Sequence, residues 1–286
     1  MYNQDSARKY GWTPQWFGVE GFGDALKTAV KKFQREHDLE EDGLVGPSTY
    51  RRIFLFRENI ISKWESMQIP SGEKSIVYDG NHYSIDWNRV VLWDEPNGFK
   101  STHIKKKVGI PREPKLFVNH WDVCLNSKSC FKVLQNRGLS VHFLIDNDGT
   151  IYQTMDMQHI AFHAGNHNDV SIGVEISNAY YPKYQGWYEK NGFGKRPIWK
   201  SAVHGKPLKE HMGFYDVQIE AAKALWKAVA KACDIPQRCP IKKGEMLLGI
   251  HQQSMEKKWT GFLHHFHISK NKIDCSGFDL VQYLGD

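Results

Sequence analysis

Nowhere in this sequence does an apolar run reach the length of a membrane-crossing helix, so stable membrane insertion is not expected. The opening residues, Met1-Tyr2-Asn3-Gln4-Asp5-Ser6-Ala7-Arg8-Lys9, hold no apolar signal-peptide core. Synthesis in the cytoplasm is the expectation, with any export by another route. Strong charge is also missing. Lys and Arg number 38 against 32 Asp and Glu, leaving +6 at pH 7 and a pI near 8.9. That is far short of a nucleic-acid signature, so no nucleic-acid partner is expected. A mild basic excess suits an anionic polymer or surface, or simply a protein with spare lysines. Cysteine is scarce: Cys124 and Cys130 are separated by five intervening residues, Cys233 and Cys239 likewise, and Cys275 is left over. The pattern allows two local disulfides and one thiolate, or five reduced thiols.

What is present is enough for a sizeable core. The chain has 286 residues, 41% of them hydrophobic, as one large domain or two unequal ones. Ten Trp and twelve Tyr can stack on sugars or fill that core. Residues 117–178 organise the rest. Phe117-Val118-Asn119-His120-Trp121-Asp122 reads as a strand delivering a histidine. Residues 141–153 read as two short strands around the turn at Gly149. After Ala161-Phe162-His163-Ala164-Gly165 comes Ser171-Ile172-Gly173-Val174-Glu175-Ile176, an apolar strand with one carboxylate inside it. A histidine at one strand end and a carboxylate embedded in another suit a metal site with a base beside it.

The tail offers further ligands. Gly261-Phe262-Leu263-His264-His265-Phe266-His267-Ile268-Ser269 holds three histidines, and Cys275 follows ten residues after His265. Zinc takes three such protein ligands and keeps a position open for water. His120, a tail histidine and Cys275 would make that set; packing histidines and a buried small thiol are the alternative.

Residues 1–66 read as a separate small helical unit. Leu26, Ala29, Val30 and Phe33 recur at helical spacing after Asp24, an N-cap candidate. The glycines of Asp42-Gly43-Leu44-Val45-Gly46-Pro47 suit a tight turn, and Pro47 suits the first turn of a second helix carrying Tyr50, Ile53 and Phe54 inward. In residues 67–115, Ser75-Ile76-Val77-Tyr78 and Arg89-Val90-Val91-Leu92-Trp93 look like strands at an edge of the larger domain's sheet. Lys105-Lys106-Lys107 reads as a solvated face. Residues 179–213, with Tyr180, Tyr181, Tyr184, Trp187, Tyr188 and Trp199, read as a long loop that faces substrate or is folded over the core by its own aromatics. Residues 216–232 read as a helix with Ile219, Ala222, Trp226 and Val229 inward, stopped by Pro236.

Two resemblances emerge from these motifs. Ala29-Val30-Lys31-Lys32-Phe33-Gln34 followed by Asp42-Gly43-Leu44-Val45-Gly46-Pro47-Ser48-Thr49, across 10–56, resembles the peptidoglycan-binding domain of bacterial and phage cell-wall hydrolases. Region 113–286 resembles the zinc-dependent N-acetylmuramoyl-L-alanine amidases, a family that includes phage amidase lysozymes, recycling amidases and animal peptidoglycan recognition proteins. The strand ending in His120, the hairpin 139–153, the aromatic-His-Ala-Gly at 162–165 and the Ile-Gly-Val-Glu at 172–175 carry the likeness. The spacing of Cys124 and Cys130 is similar to that of a disulfide in the recognition proteins.

There are departures. The family's second ligand histidine lies eight or ten residues before a Cys or Asp that usually precedes Pro-Gly, and here Ser276 replaces the proline. Spacing ten selects His265 with Cys275 or His264 with Asp274; spacing eight selects His267 with Cys275. The pair His265 and Cys275 is preferred, because His-Phe-x-Ile-Ser and Cys-x-x-Phe-Asp resemble family segments. Ile273 stands two before Cys275, where many members have Lys, with Lys272 adjacent as a substitute. Val141 stands where one branch has Tyr, which shifts proton transfer to Glu175.

The resemblance implies an α/β fold, a central mixed sheet with flanking helices and an edge zinc site, preceded by a small all-α wall-binding domain. The units are 1–66 and 67–286. It implies Zn2+ on His120, His265 and Cys275, with Glu175 as base and Lys272 or a nearby histidine aiding the oxyanion. The reaction implied is hydrolysis of the amide between N-acetylmuramic acid and L-alanine of peptidoglycan, by a monomer. A wall-binding module without a signal peptide fits a phage endolysin that acts on the host wall after release. A recycling amidase and a non-catalytic recognition protein are the alternatives.

Overall fold

The computed structural model describes residues 1–66, 69, 72–106 and 112–284. The chain opens with helices α1 (Tyr2–Tyr10), α2 (Asp24–Glu36) and α3 (Pro47–Ile61). Leu26, Val30 and Phe33 are buried on one stripe of α2, as their spacing predicts. Asp24 is the first helical residue rather than the cap, which is Gly23. The turn into α3 is built around the buried amide of Gln34. Its nitrogen donates to Asp42 Oδ1 (2.7 Å), the Leu44 carbonyl (3.0 Å) and Thr49 Oγ1 (3.1 Å), and its oxygen accepts from the Gly43 N–H (2.9 Å). Gly43 adopts φ +74°, a conformation glycine takes without steric cost. Pro47 then starts α3.

A hairpin follows, β1 (Lys74–Tyr78) with β2 (Asn81–Ile85). The central sheet takes β3 (Val90–Leu92), β4 (Leu116–Trp121), β5 (Phe143–Ile145), β6 (Ile151–Gln153), β7 (Ser171–Ile176) and β8 (Gly261–His264). These six strands lie in the order β8-β4-β7-β5-β6-β3. Only β5 and β6 pair antiparallel; the other neighbours run parallel, so the sheet is mixed. The strand expected near Arg89 is the sheet edge β3, whereas Ser75-Ile76-Val77-Tyr78 joins the separate hairpin. Lys105 and Lys106 are exposed, and Lys107 lies outside the described residues.

Helices cover both faces. On one, α5 (Asp216–Cys233) buries Ile219, Ala222, Trp226 and Val229 against Phe117, Phe143, Ile172 and Phe262. The segment 179–213 is not a structureless loop. It contains a helix, Gln185–Lys190, and Tyr184, Trp187 and Tyr188 are buried in the same core. Among the described residues no helix is long and apolar enough to cross a membrane.

The other face packs against α4 (Ser127–Arg137) and the N-terminal helices. Tyr10, Val30, Tyr50 and Phe54 share one apolar cluster with Val133, Leu134, Val141 and Leu144. Polar contacts reinforce the seam. Asn136 donates to Tyr50 Oη (2.9 Å), Ser129 Oγ to Glu58 Oε2 (3.1 Å), and Trp187 Nε1 to the Ser62 carbonyl (3.1 Å). The first unit is therefore docked on the sheet's helical cover, not tethered to it. Removing residues 1–66 would return several fully buried apolar side chains to water, each worth about 1.5–3 kcal/mol. The expected result is a melting midpoint lower by roughly 10 °C or more, or aggregation, read by circular dichroism. An unchanged midpoint would contradict this packing.

Candidate active site

The site lies on the sheet face shared with α4. Strand alternation sends Phe117 and Trp121 into the α5 core and leaves His120 on the opposite face. In the parallel register of β4 and β7, His120 stands directly opposite Glu175, and Leu144 of β5 is Glu175's partner on the other side. His120 is 2% exposed and Glu175 half-buried. His163 lies over Gly173, where a Cβ would meet its ring at 2.5 Å, which is why the β7 motif needs glycine there. Its Nδ1 is 3.0 Å from His120 Nε2, and its Nε2 is 3.2 Å from Ser171 Oγ.

Of the three tail histidines, His265 faces His120, with ring centroids 4.5 Å apart. The other two serve the fold. His264 Nε2 bonds the Phe278 carbonyl (2.7 Å), and His267 bonds the Leu247 carbonyl (2.7 Å) and the His264 N–H (3.0 Å). The residue that joins the pair is Asp274, nine positions after His265. Its Oδ2 lies 2.9 Å from His120 Nδ1 and 3.2 Å from His265 Nδ1. Cys275, expected as the third ligand, lies apart. It is fully buried in the apolar core with Phe278 and Leu280, where burial pushes the thiol well up, away from the thiolate a metal requires. With Asp274 beside the two histidines, Lys272 stands two positions before it.

Titration follows from this crowding. Burial, then His265, pushes His120 down to about 4, against the pull of Asp274. Burial works to raise Asp274, but His265 and the bond from His120 hold it well below the carboxylate range. For Glu175, burial dominates and the neighbouring Asp122 and Asp274 add to it, so its carboxyl is pushed well above the ordinary value despite Arg51 and Lys272. Among the described residues its Oε2 has no hydrogen-bond partner. A carboxylate with a free oxygen and high proton affinity is equipped to take a proton.

His120, His265 and Asp274 present two imidazole nitrogens and a carboxylate oxygen within 4.8 Å of one another, all three residues buried. That donor set fits a zinc ion, which accepts nitrogen and oxygen ligands and leaves a fourth position to the cleft. The cleft is about 330 Å³, lined also by Glu175, Lys272, Arg137, Tyr180 and Tyr181. It adjoins a larger groove of about 1060 Å³ past His163, Asn166 and Lys257. Asp122, Cys124 and Cys130 form a second buried group. All five cysteines are free thiols.

Fold and site together define a mixed α/β protein with a buried His–His–Asp cluster beside a carboxylate, a constellation suited to metal-assisted hydrolysis. Residues 110–274 match the family model for N-acetylmuramoyl-L-alanine amidase, and the chain belongs to that family. Residues 10–53 match a peptidoglycan-binding domain. No curated protein matches the chain. Among solved structures it is similar to the N-acetylmuramyl-L-alanine amidase AmiD from E. coli, at 22% identity and TM-score 0.32, covering 48% of this chain and 55% of that one. This chain therefore spans only about half the length of that relative. The amidase LysC from Clostridium intestinale is 13% identical with TM-score 0.42, over 70% of this chain and 97% of its own. Drosophila PGRP-LB is 18% identical with TM-score 0.36, over 69% and 93%.

His163 and Arg137 are not among the site residues the sequence suggests, where His265 with Cys275 is preferred and Asp274 is admitted only with His264. One signal for Asp274 was available: it alone puts Lys272 at the position where many family members carry lysine.

Proposed function

We propose that the chain is a zinc-dependent amidase that hydrolyses the bond between N-acetylmuramic acid and L-alanine in peptidoglycan. The observation that carries this reading is the convergence of His120, His265 and Asp274 beside Glu175, in a chain of the amidase family. His120, His265 and Asp274 would hold the ion. Zinc, when bound, supplies a Lewis acid that polarises a carbonyl and makes water more acidic. Glu175 accepts a proton from the attacking water at its free Oε2 and returns it to the leaving alanine nitrogen. Lys272, exposed at the cleft mouth, donates to the oxygen on which negative charge develops. His163 holds the His120 ring through the 3.0 Å contact and keeps it facing the cluster.

Two units share the work: 1–66 holds the wall and 67–286 cuts it. A wall-binding unit joined to such an amidase suits lysis of the endolysin kind, by a monomer made in the cytoplasm and released onto the wall. The experiment is cleavage of a soluble N-acetylmuramoyl-L-alanyl peptide, followed by the appearance of the alanine amino group. Cleavage should stop with a chelator and return with added Zn2+. Cleavage indifferent to chelation would contradict the zinc assignment.

A further inference from the structure

We infer that Arg51, which belongs to the N-terminal helical unit, positions the substrate by pairing with a carboxylate of its peptide stem, so that the wall-binding unit completes the catalytic cleft. The inference rests on the amidase reading above. Ser48 and Arg51 are three residues apart on one face of α3, and both line the cleft that holds His120, Glu175 and His265. Arg51 is half-buried, and its guanidinium has no ion pair or hydrogen bond among the described residues. Its neighbours on α3 are committed. Arg52 lies 4.0 Å over the Tyr181 ring and donates to the His37 carbonyl (2.8 Å), Tyr50 accepts from Asn136, and Glu58 accepts from Ser129. The helix is thus fixed on both sides of Arg51 while that one side chain stays unpaired.

Arg137, at the end of α4, lines the same cleft and likewise has no partner among the described residues. The two guanidiniums feel each other: burial, then Arg51, lowers the proton affinity of Arg137. Two half-buried like charges repel each other; Glu175 in the same cleft offsets part of that without a hydrogen bond or ion pair to either among the described residues, and an anion joining both guanidiniums offsets more. A peptide stem joined to muramic acid through its amino end carries free carboxylates beyond the scissile bond. The planar guanidinium fork matches a carboxylate in two parallel hydrogen bonds. The larger groove past Asn166 is left to the remainder of the substrate.

The test uses the full chain and two soluble muramoyl peptides, one with free stem carboxylates and one with the same carboxylates amidated. With the free substrate, Arg51→Ala should raise KM roughly 10- to 100-fold, the loss expected for a hydrogen bond to a charged group, with a much smaller change in kcat. Arg51→Lys, which keeps the charge and loses the fork, should fall between. Wild type should bind the amidated substrate weakly, and Arg51→Ala should no longer distinguish the two. Melting midpoints should agree within about 2 °C, since the guanidinium has no partner to lose. An unchanged KM, or an equal loss on both substrates, overturns the role of Arg51 while leaving the amidase reading intact. Failure of the wild type to cleave either substrate overturns the amidase reading and this inference with it.

Discussion

Glu175→Gln is expected to lose turnover by roughly 100- to 10,000-fold while keeping fold and metal, the usual contribution of a positioned general base. The side chain sits opposite His120 in strand register and has one oxygen without a hydrogen-bond partner among the described residues. Glutamine keeps that shape and cannot take the proton. A second readout separates chemistry from structure. Burial, helped by Asp122 and Asp274, holds the Glu175 carboxyl above its ordinary value. A carboxyl that binds its proton more tightly in the folded state costs stability as pH rises past the unfolded value. The substitution should therefore raise the melting midpoint in chelator at pH 8 and hardly change it at pH 4. A domain of this size moves by roughly 2–4 °C per kcal/mol. Turnover within about threefold of wild type would move the base elsewhere.

The second large effect belongs to the metal. Asp274→Ala should lose zinc and activity together, because removing one of three ligands leaves two histidines that cannot hold the ion. Cys275→Ala should keep both and cost about 1 kcal/mol of stability, as expected for a buried side chain trimmed in the apolar core. The tail histidines divide in the same way. His265→Ala strips the metal, whereas His267→Ala breaks the bonds to Leu247 and His264 and lowers stability with zinc retained. Metal content by mass spectrometry of the four purified variants decides it. Zinc lost from Cys275→Ala and kept in Asp274→Ala would reverse the ligand assignment.

The two halves of the site differ in how far sequence could reach them. His120 and Glu175 are legible because each sits inside an apolar strand, and period-two alternation puts both on one face once the strands are adjacent. Gly173 announces a close approach, and His163 is what approaches. The tail defeats such counting. A 3-10 turn at His265–His267 aims three near-adjacent histidines in different directions, and spacings of eight or ten miss the nine that separates His265 from Asp274. Asp274 and Cys275 are neighbours, one facing the histidines and the other the core, and only packing tells them apart. Helices α2 and α3 follow from the apolar stripe of α2 and the Asp-Gly turn, whereas α1 does not. Their docking on α4, and the arrival of Arg51 in the cleft, come from contacts between segments more than 80 residues apart, such as Tyr50 with Asn136. Local pattern carries no record of such contacts.

The most direct measurement is mass spectrometry of intact sacculi digested by the purified full-length chain. The account predicts free stem peptides beginning at L-alanine, and glycan strands that keep the lactyl carboxyl of muramic acid and gain no new reducing ends. New reducing sugars, or fragments cut within the stem peptide with the muramoyl–alanine amide intact, would contradict it.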